Sequence, residues 1–301
     1  MAQNVIETEG LTVFYGRQLG ILDVDMAVRA GEVFGFLGPN GAGKTTTQRV
    51  LLDILRPSRG RARLFGLDCQ REGVAIRRRL GYLPGELSLP GAMTGRRFLN
   101  MVAAVRGDRA GPAAIRELCA RLDLDPSRKI RQYSRGNKQK LGLVAAFMGR
   151  PDLLILDEPT SGLDPLAQQA VHELVREARA GGRTVFFSSH ILSEAQAICD
   201  RVGIIRAGRL IKVERVEALT AQPFHRLRLR FDAPPPAAAL AVEGVQELSR
   251  DDHSLILEVR QNLPFVMQAA AGYGITDIET QPVTLEEVFL AYYGSDGGSH
   301  V

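Results

Sequence analysis

The sequence predicts an α/β fold built on a mainly parallel β-sheet, followed by a small α+β domain. Short, mostly apolar segments such as "GEVFGFLG", "DLLILDEP" and "RTVFFSSH" have the composition of buried strands. Helical patterns lie between them, and this alternation is typical of parallel sheets that helices cover. The 301 residues are enough for one main domain and one smaller domain.

The predicted main domain spans residues 1–220. "VIETEGLTVFYG" predicts a strand that ends in a turn at Gly16, and we expect an antiparallel β subdomain at this N-terminal end. A helical pattern begins at Lys44. Residues 87–149 are patterned as a mostly helical subdomain, and "VGIIRAGRLIKV" predicts a hairpin that turns at residues 206–208.

Residues 221–301 form the predicted C-terminal α+β domain. "RLRLRF" alternates strictly, which places Leu227, Leu229 and Phe231 on one face of a strand. "APPPAAA" predicts a loop, and "SLILEV" predicts a second strand. "TLEEVFLAYYG" has its apolar residues at helical spacing and predicts a closing helix.

Composition excludes several classes of protein. No apolar stretch reaches the roughly 18–20 residues that cross a bilayer, and "MAQNVIETEG" lacks the pattern of a signal peptide, so we expect a cytosolic location. The formal net charge is +4. The arginine runs at 77–79 and 96–97 fit nucleic acid or a solvated helix face, and we favour the helix face and expect no nucleic-acid partner, because aromatics do not interleave them. Three cysteines without metal-type spacing predict reduced thiols.

A glycine-rich motif lies between the strand "GEVFGFLG" and the following helix. "GPNGAGKTT" matches G-x-x-x-x-G-K-[ST], in which glycines let successive N–H groups point at phosphates, the lysine adds a positive charge and the Thr hydroxyl faces Mg²⁺. A glycine-rich turn with a surface lysine is the alternative, but the flanking strand and helix favour nucleotide binding. The predicted ATP-binding residues here are Gly38, Pro39, Asn40, Gly41, Ala42, Gly43, Lys44, Thr45 and Thr46.

Polar side chains follow two of the predicted parallel strands. Asp157 and Glu158 end "LLILDEP", and His190 ends the strand that contains "SSH". The carboxyl ends of parallel strands meet at one edge of a sheet, where ligands bind. We expect Asp157 to hold Mg²⁺, Glu158 to act as general base and His190 to contact the γ-phosphate or hold the attacking water, with Lys44 the third catalytic residue. An ordinary strand end and a structural histidine remain the alternatives.

Residues 5–220 resemble the ATPase subunit of an ATP-binding cassette (ABC) transporter. Beyond the phosphate loop, Asp157–Glu158 and His190, "SGLD" is similar to the D-loop of that family, and "YSRGNKQKL" occupies the place of its signature. The resemblance implies that Tyr15 stacks on adenine and that the signature binds the nucleotide of a partner chain. A core position for Tyr15 and a simple helix cap at Ser134 are the alternatives. The implied residues are Ser134, Arg135, Gly136 and Asn137 in the signature, and Ser161, Gly162, Leu163 and Asp164 in the D-loop.

The chain departs from this family at three positions. Arg135 stands where the family has glycine, and Asn137 stands where it has glutamine. Gly85, in "GYLPGELSL", stands where the family has a glutamine that reaches Mg²⁺. We hypothesise that Glu86 partly takes over this role beside Thr45 and Asp157, since carboxylate oxygen suits a hard cation; water is the alternative ligand.

The resemblance implies an ATPase with ATP and Mg²⁺ as cofactors, working at the cytoplasmic face of a membrane. Its expected partners are a separate polytopic permease and a second copy of itself or a homologous ATPase. The C-terminal tail and "LPGEL" are similar to the drug- and antibiotic-exporter branch. Apolar residues within 87–106 fit either a permease contact or internal packing: Met93, Phe98, Leu99 and Met101. A soluble ATPase of the same fold and a non-hydrolysing ATP sensor are the competing functions.

Overall fold

The computed structural model describes residues 3–107, 111–220, 225–233, 240, 242–281 and 285. Two compact units divide the chain, Met1–Val216 and Glu217–Val301. This division falls four residues before the end of the predicted main domain, within the helix Val216–Thr220.

The first unit contains two sheets and several helices. Its strands in chain order are β1 (Asn4–Tyr15), β2 (Gln18–Arg29), β3 (Val33–Leu37), β4 (Arg59–Leu64), β5 (Leu67–Asp68), β6 (Leu80–Leu83), β7 (Leu153–Asp157), β8 (Thr184–Ser189), β9 (Arg201–Arg206) and β10 (Arg209–Arg215). Its helices are α1 (Lys44–Leu51), α2 (Gly73–Arg77), α3 (Gly95–Arg106), α4 (Pro112–Arg121), α5 (Arg135–Phe147), α6 (Pro165–Ala180) and α7 (Leu192–Ile198), with a 3₁₀ turn at Ile130–Gln132 and α8 (Val216–Thr220) at the unit boundary.

The central sheet confirms the predicted α/β class. Its strand order is β10-β9-β3-β8-β7-β6. Strands β9, β3, β8, β7 and β6 pair in parallel, and β10 pairs with β9 antiparallel through the predicted hairpin. Every residue of β3, β7 and β8 is buried, as expected for strands covered on both faces. The carboxyl ends of β3, β7 and β8 therefore meet at one edge of a rigid scaffold.

A second sheet lies at the N-terminal end of the chain, as predicted. Its order is β2-β1-β4-β5, and all three pairings are antiparallel. Helices α3, α4 and α5 lie within the stretch predicted to be helical. The described residues contain no helix with the length and apolar character needed to span a membrane. The three cysteines are free and buried thiols.

Beyond the boundary helix α8, the described residues of the second unit form a four-stranded antiparallel sheet and the helix α9. Its elements are β11 (His225–Phe231), β12 (Val245–Arg250), β13 (Ser254–Val259), α9 (Leu263–Gly272) and β14 (Ile275–Gln281). The strand order is β12-β13-β11-β14. Leu227, Leu229 and Phe231 lie in its core, as the alternation predicts. The proline-rich loop and the closing helix predicted from "TLEEVFLAYYG" lie mostly outside the described residues.

Candidate nucleotide-binding site

The phosphate loop connects β3 to α1. Gly41 and Gly43 have φ values of 79° and 111°, conformations that favour glycine. A Cβ on Gly43 would lie 2.6 Å from Ile21 Cγ2, so the loop packs tightly against β2. Gly43 is the N-cap of α1 and forms no side-chain capping hydrogen bond. The first turn of α1 therefore presents backbone N–H groups and the positive end of the helix dipole to an anion.

Lys44 is the first residue of α1 and is only 6% exposed. Its Nζ donates to the carbonyl oxygens of Gly38 (2.6 Å) and Pro39 (3.2 Å). Glu158 Oε1 lies 3.3 Å from the same nitrogen. The lysine of the motif is therefore a buried charge at the centre of the site, not a surface side chain.

Thr45 and Asp157 bring two hard oxygen donors together. Thr45 Oγ1 donates to Asp157 Oδ2 at 2.9 Å, across 112 positions of sequence. Ser188 Oγ donates to the other carboxylate oxygen of Asp157 at 2.6 Å and fixes its orientation. Burial, and then the charge of Asp157, raise the pKa of the neighbouring Tyr82 to about 12. Tyr82 therefore stays neutral beside the carboxylate.

Glu158 follows β7 and begins a loop that we call the base loop, residues 158–164. Its Oε2 accepts a hydrogen bond from His190 Nδ1 at 2.6 Å, and its other carboxylate oxygen faces Lys44. The Glu158 N–H donates to the carbonyl of Ser188 at 3.1 Å, which ties the base loop to β8. The neighbouring strand ends thus place a carboxylate, an imidazole and an ammonium group in contact.

A cleft of about 290 Å³ lies in front of these groups. Residues 39–46 other than Ala42 line it, together with Asp157 and Glu158. Ala42 and Gly38 pack behind the loop instead. His190 does not line this cleft, but its half-exposed side chain contacts Glu158, which does.

Tyr15 lies at the rim of the cleft, at the end of β1. Its side chain is 44% exposed, and its hydroxyl lies 3.2 Å from Thr46 Oγ1. Tyr15 is therefore not a core aromatic. Gln18, Leu19 and Gly20 also line this side of the cleft, and the sequence analysis missed them.

Gly85 lines the cleft, but Glu86 does not. A Cβ on Gly85 would lie 3.0 Å from Asp157 Oδ2, so this backbone passes directly beside the carboxylate. Glu86 is exposed. Its predicted role toward Mg²⁺ stays a prediction.

The signature and the D-loop lie beside each other, outside this cleft. Ser134 is the N-cap of α5 and accepts from the N–H of Asn137 at 3.1 Å. Arg135 Nη2 donates to Ser161 Oγ at 3.1 Å. A Cβ on Gly136 would approach the carbonyl of Gly162 to 2.9 Å, so this contact requires a residue without a side chain.

Two buried polar residues that the sequence analysis missed support the base loop. Gln139 of α5 donates from Nε2 to the carbonyls of Glu158 and Pro159, both at 3.1 Å. Glu194 of α7 accepts from Thr160 Oγ1 at 2.9 Å and from Ser189 Oγ at 3.2 Å. Gln139 lies within the stretch that resembles the family signature but was assigned no role there, and Glu194 belongs to no motif, because each contact depends on how the helix packs.

The fold and the site define a phosphate-loop nucleoside triphosphatase. The sequence matches the family described as ABC transporter over residues 21–161. It is 36% identical over 310 residues to the daunorubicin resistance ATP-binding protein DrrA3 of Streptomyces coeruleorubidus, covering 98% of each chain. It is 31% identical over 303 residues to the bacitracin transport ATP-binding protein BcrA of Enterococcus faecalis, covering 97% of each chain.

A solved structure gives the same result. The structure of an ATP-binding subunit of an ABC transporter is similar to this chain with a TM-score of 0.66 and 31% identity, covering 71% of this chain and 91% of that one. This chain belongs to the ABC transporter family, as one of its ATP-binding subunits. The predicted family, the ATPase class and the resemblance to the drug- and antibiotic-resistance branch are thereby confirmed.

Proposed function

We propose that this chain hydrolyses Mg²⁺–ATP to power export of a drug, antibiotic or lipid-like compound through a separate membrane permease. The observation that carries the proposal is the buried Lys44, which contacts the phosphate loop on one side and Glu158 on the other. A buried ammonium group in a glycine-rich loop at a helix N-terminus suits a polyphosphate ligand.

The residues at the cleft fit a magnesium ion. Thr45 Oγ1 and Asp157 Oδ2 lie 2.9 Å apart, and hydroxyl and carboxylate oxygens are the donors that Mg²⁺ accepts beside phosphate oxygens. No cluster of three or more His, Cys, Asp or Glu side chains suited to a metal occurs among the described residues, so phosphate and water would supply the other ligands. Bound Mg²⁺ would neutralise charge on the phosphates during transfer.

Glu158 is the proposed general base. Glu158 lines the cleft, and a water molecule held there would lose its proton to Glu158 as it attacks the γ-phosphate, while the bond from the γ-phosphorus to the bridging oxygen breaks and ADP leaves. His190 donates to Glu158 Oε2 and fixes the direction of the carboxylate. Lys44 Nζ lies 3.3 Å from Glu158 Oε1 and places positive charge beside both the base and the phosphate loop.

A second copy, or a homologous chain, is the proposed partner of the signature. Ser134 and Gly136 lie at the N-terminus of α5 and outside the cleft that contains Lys44. The Ser134 cap and the dipole of α5 suit a phosphate supplied from outside the chain. Two chains would then enclose two nucleotides, each contacted by the phosphate loop of one chain and the signature of the other.

An exposed apolar groove supports the proposed contact with a permease at the cytoplasmic face of a membrane. Ile54, Val74 and Val105 are 62%, 64% and 83% exposed and line one groove of about 540 Å³. A short permease helix with apolar side chains fits such a surface. Of the residues predicted for this contact, Leu99 is fully buried, so internal packing is its role.

Nucleotide binding by purified protein tests the proposal. Lys44→Ala is expected to weaken Mg²⁺–ATP binding by about 10- to 100-fold, the effect of losing charged hydrogen bonds in a buried site. Lys212→Ala is the matched control, because Lys212 makes only a surface ion pair with Glu214 at 3.7 Å. Isothermal titration calorimetry measures Mg²⁺–ATP binding by each variant, and phosphate release measures its turnover. Equal binding and turnover by both variants would reject the proposed function.

A further inference from the structure

The helix that follows the signature packs along the base loop. Arg135 Nη2 donates to Ser161 Oγ at 3.1 Å, and Lys140 Nζ lies 3.9 Å from Asp164 Oδ2. Gln139 lies one helical turn after Arg135, on the same face of α5. Side chains of α5 therefore contact the base loop at several points between Glu158 and Asp164.

Gln139 makes the innermost of these contacts. Its side chain is 6% exposed, and its single Nε2 donates to two successive carbonyls, those of Glu158 and Pro159, at 3.1 Å each. Buried carbonyls need such partners, because water cannot replace a lost hydrogen bond there. The amide of Gln139 thus fixes the backbone at the point where Glu158 leaves β7.

Glu158 has an unusual backbone that requires this support. Its φ is 49°, in the left-handed region that few residues other than glycine adopt. Such a conformation costs free energy and persists when the surrounding structure holds it. The Glu158 N–H donates to the carbonyl of Ser188, and the Glu158 carbonyl accepts from both Gln139 Nε2 and the Ser161 N–H, each at 3.1 Å. Among these contacts, Gln139 provides the only side-chain donor to the Glu158 carbonyl and ties it to α5, while the contact to Ser188 fixes the peptide unit on the other side of the Cα atom.

We propose that Gln139 is a positioning residue for the general base. By holding the Glu158 carbonyl, Gln139 keeps the left-handed backbone that directs the carboxylate between Lys44 and His190. Without the Nε2 donor, the base loop would sample other backbone conformations, and the carboxylate would face the cleft for a smaller fraction of the time. The inference rests on the proposed function of Glu158.

The substitution Gln139→Met tests this role. Methionine has a similar length and fills the same buried space, but it donates no hydrogen bond. We expect kcat for ATP hydrolysis to fall about 10-fold or more, the effect of losing two buried hydrogen bonds. The KM for ATP should change less than about twofold, since Gln139 does not line the nucleotide cleft.

Gln168→Met is the matched control. Gln168 Nε2 of α6 also donates to a base-loop carbonyl, that of Leu163, at 3.1 Å, but at the end of the loop away from Glu158. This variant should keep the kcat of the unmodified chain. Similar losses of kcat in both variants would mean that any loosening of the loop suffices, and would overturn a specific role for Gln139.

A double-mutant cycle separates positioning from general structural damage. If Gln139 acts through the base, Gln139→Met should cause no further loss of turnover in a Glu158→Gln background. The same factor of loss in both backgrounds, or a wild-type kcat in Gln139→Met, would overturn the inference while the proposed ATPase stands. A purified wild-type chain without ATP hydrolysis would instead overturn the proposed function and this inference with it.

Discussion

His190 Nδ1 lies 2.6 Å from Glu158 Oε2, while the other carboxylate oxygen of Glu158 lies 3.3 Å from Lys44 Nζ. Glu158 is thus held from both sides, by Lys44 at the start of α1 and by His190 directly after β8. An ordinary strand end would not need either contact. This arrangement leads to predictions for substitutions of Glu158 and of His190.

Glu158→Gln should lower kcat for ATP hydrolysis by about 10²- to 10⁴-fold, the usual contribution of a general base. Nucleotide affinity should stay within a few-fold, since Gln retains the shape of the side chain. His190→Ala should lower kcat less, because the carboxylate remains but loses one orienting donor. Single-turnover phosphate release measures both. Unchanged turnover in Glu158→Gln would remove the base assignment.

Gly43 and Gly41 offer a matched pair of substitutions in the phosphate loop. Both have positive φ, so alanine costs about 1–2 kcal/mol of backbone strain at either position. Gly43→Ala should cost more, since its Cβ would lie 2.6 Å from Ile21 Cγ2, whereas Gly41 has open space. Urea denaturation of the two variants compares their free energies of unfolding. Equal losses would contradict the tight packing at Gly43.

The magnesium ligands can be ranked by titration. Asp157→Asn should raise the Mg²⁺ concentration for half-maximal ATPase activity, because it removes charge from the oxygen that contacts Thr45. Glu86→Ala should raise it less, since Glu86 is exposed and lies outside the cleft lining. A Glu86→Ala titration that matches wild type would reject the hypothesis that Glu86 replaces the family glutamine.

Glu194 should stabilise the loops that carry Glu158 and His190. It is 8% exposed and accepts from two hydroxyls, those of Thr160 and Ser189. Glu194→Leu removes the acceptor of the Thr160 hydroxyl and leaves the Ser189 hydroxyl only the more distant carbonyl of Ile191 at 3.4 Å, so it should lower the free energy of unfolding by about 1–3 kcal/mol. Glu194→Gln keeps a carbonyl acceptor and should cost less. Thermal and urea unfolding measure both variants. Equal destabilisation by Glu194→Leu and Glu194→Gln would contradict this role.

The buried thiol of Cys69 should make the protein less stable at alkaline pH. Burial, then the charges of Asp68 and Asp53, raise the Cys69 pKa from 9.0 to about 12. The folded state therefore keeps a proton that the unfolded state loses. This contribution is complete below about pH 9 and is lost as pH rises toward 12, by about 1.4 kcal/mol per pH unit.

Urea unfolding at about pH 8 and about pH 10.5 measures this loss, with Cys69→Ala as the comparison. The variant should lose less stability between the two pH values, while other buried groups such as Tyr82 titrate alike in both proteins. The same decrease in both proteins would contradict a contribution from Cys69.

The phosphate loop, Asp157, Glu158 and His190 could be predicted from sequence because each lies at the end of a buried, recognisable strand. Parallel pairing then brings these ends together without further information. The roles of Gln139 and Glu194 could not be predicted, although Gln139 lies within the stretch that resembles the family signature. Their contacts with the base loop join residues 19 to 34 positions apart, so they depend on how α5 and α7 pack.

In the C-terminal unit, only some of the strands could be predicted from the sequence. The sequence predicted β11 and β13, the two central strands of the sheet, from their buried apolar residues. It missed β12 and β14, which are the edges of that sheet. In β12 no residue is fully buried, so alternation of polar and apolar side chains is lost.

Glu158, the proposed general base, has a left-handed backbone conformation that glycine adopts at lower free-energy cost. Selection for thermostability alone would favour Glu158→Gly, which would give a more stable protein that lacks the proposed general base. Libraries screened for thermostability therefore need a concurrent screen for turnover, or this codon must be fixed from the start.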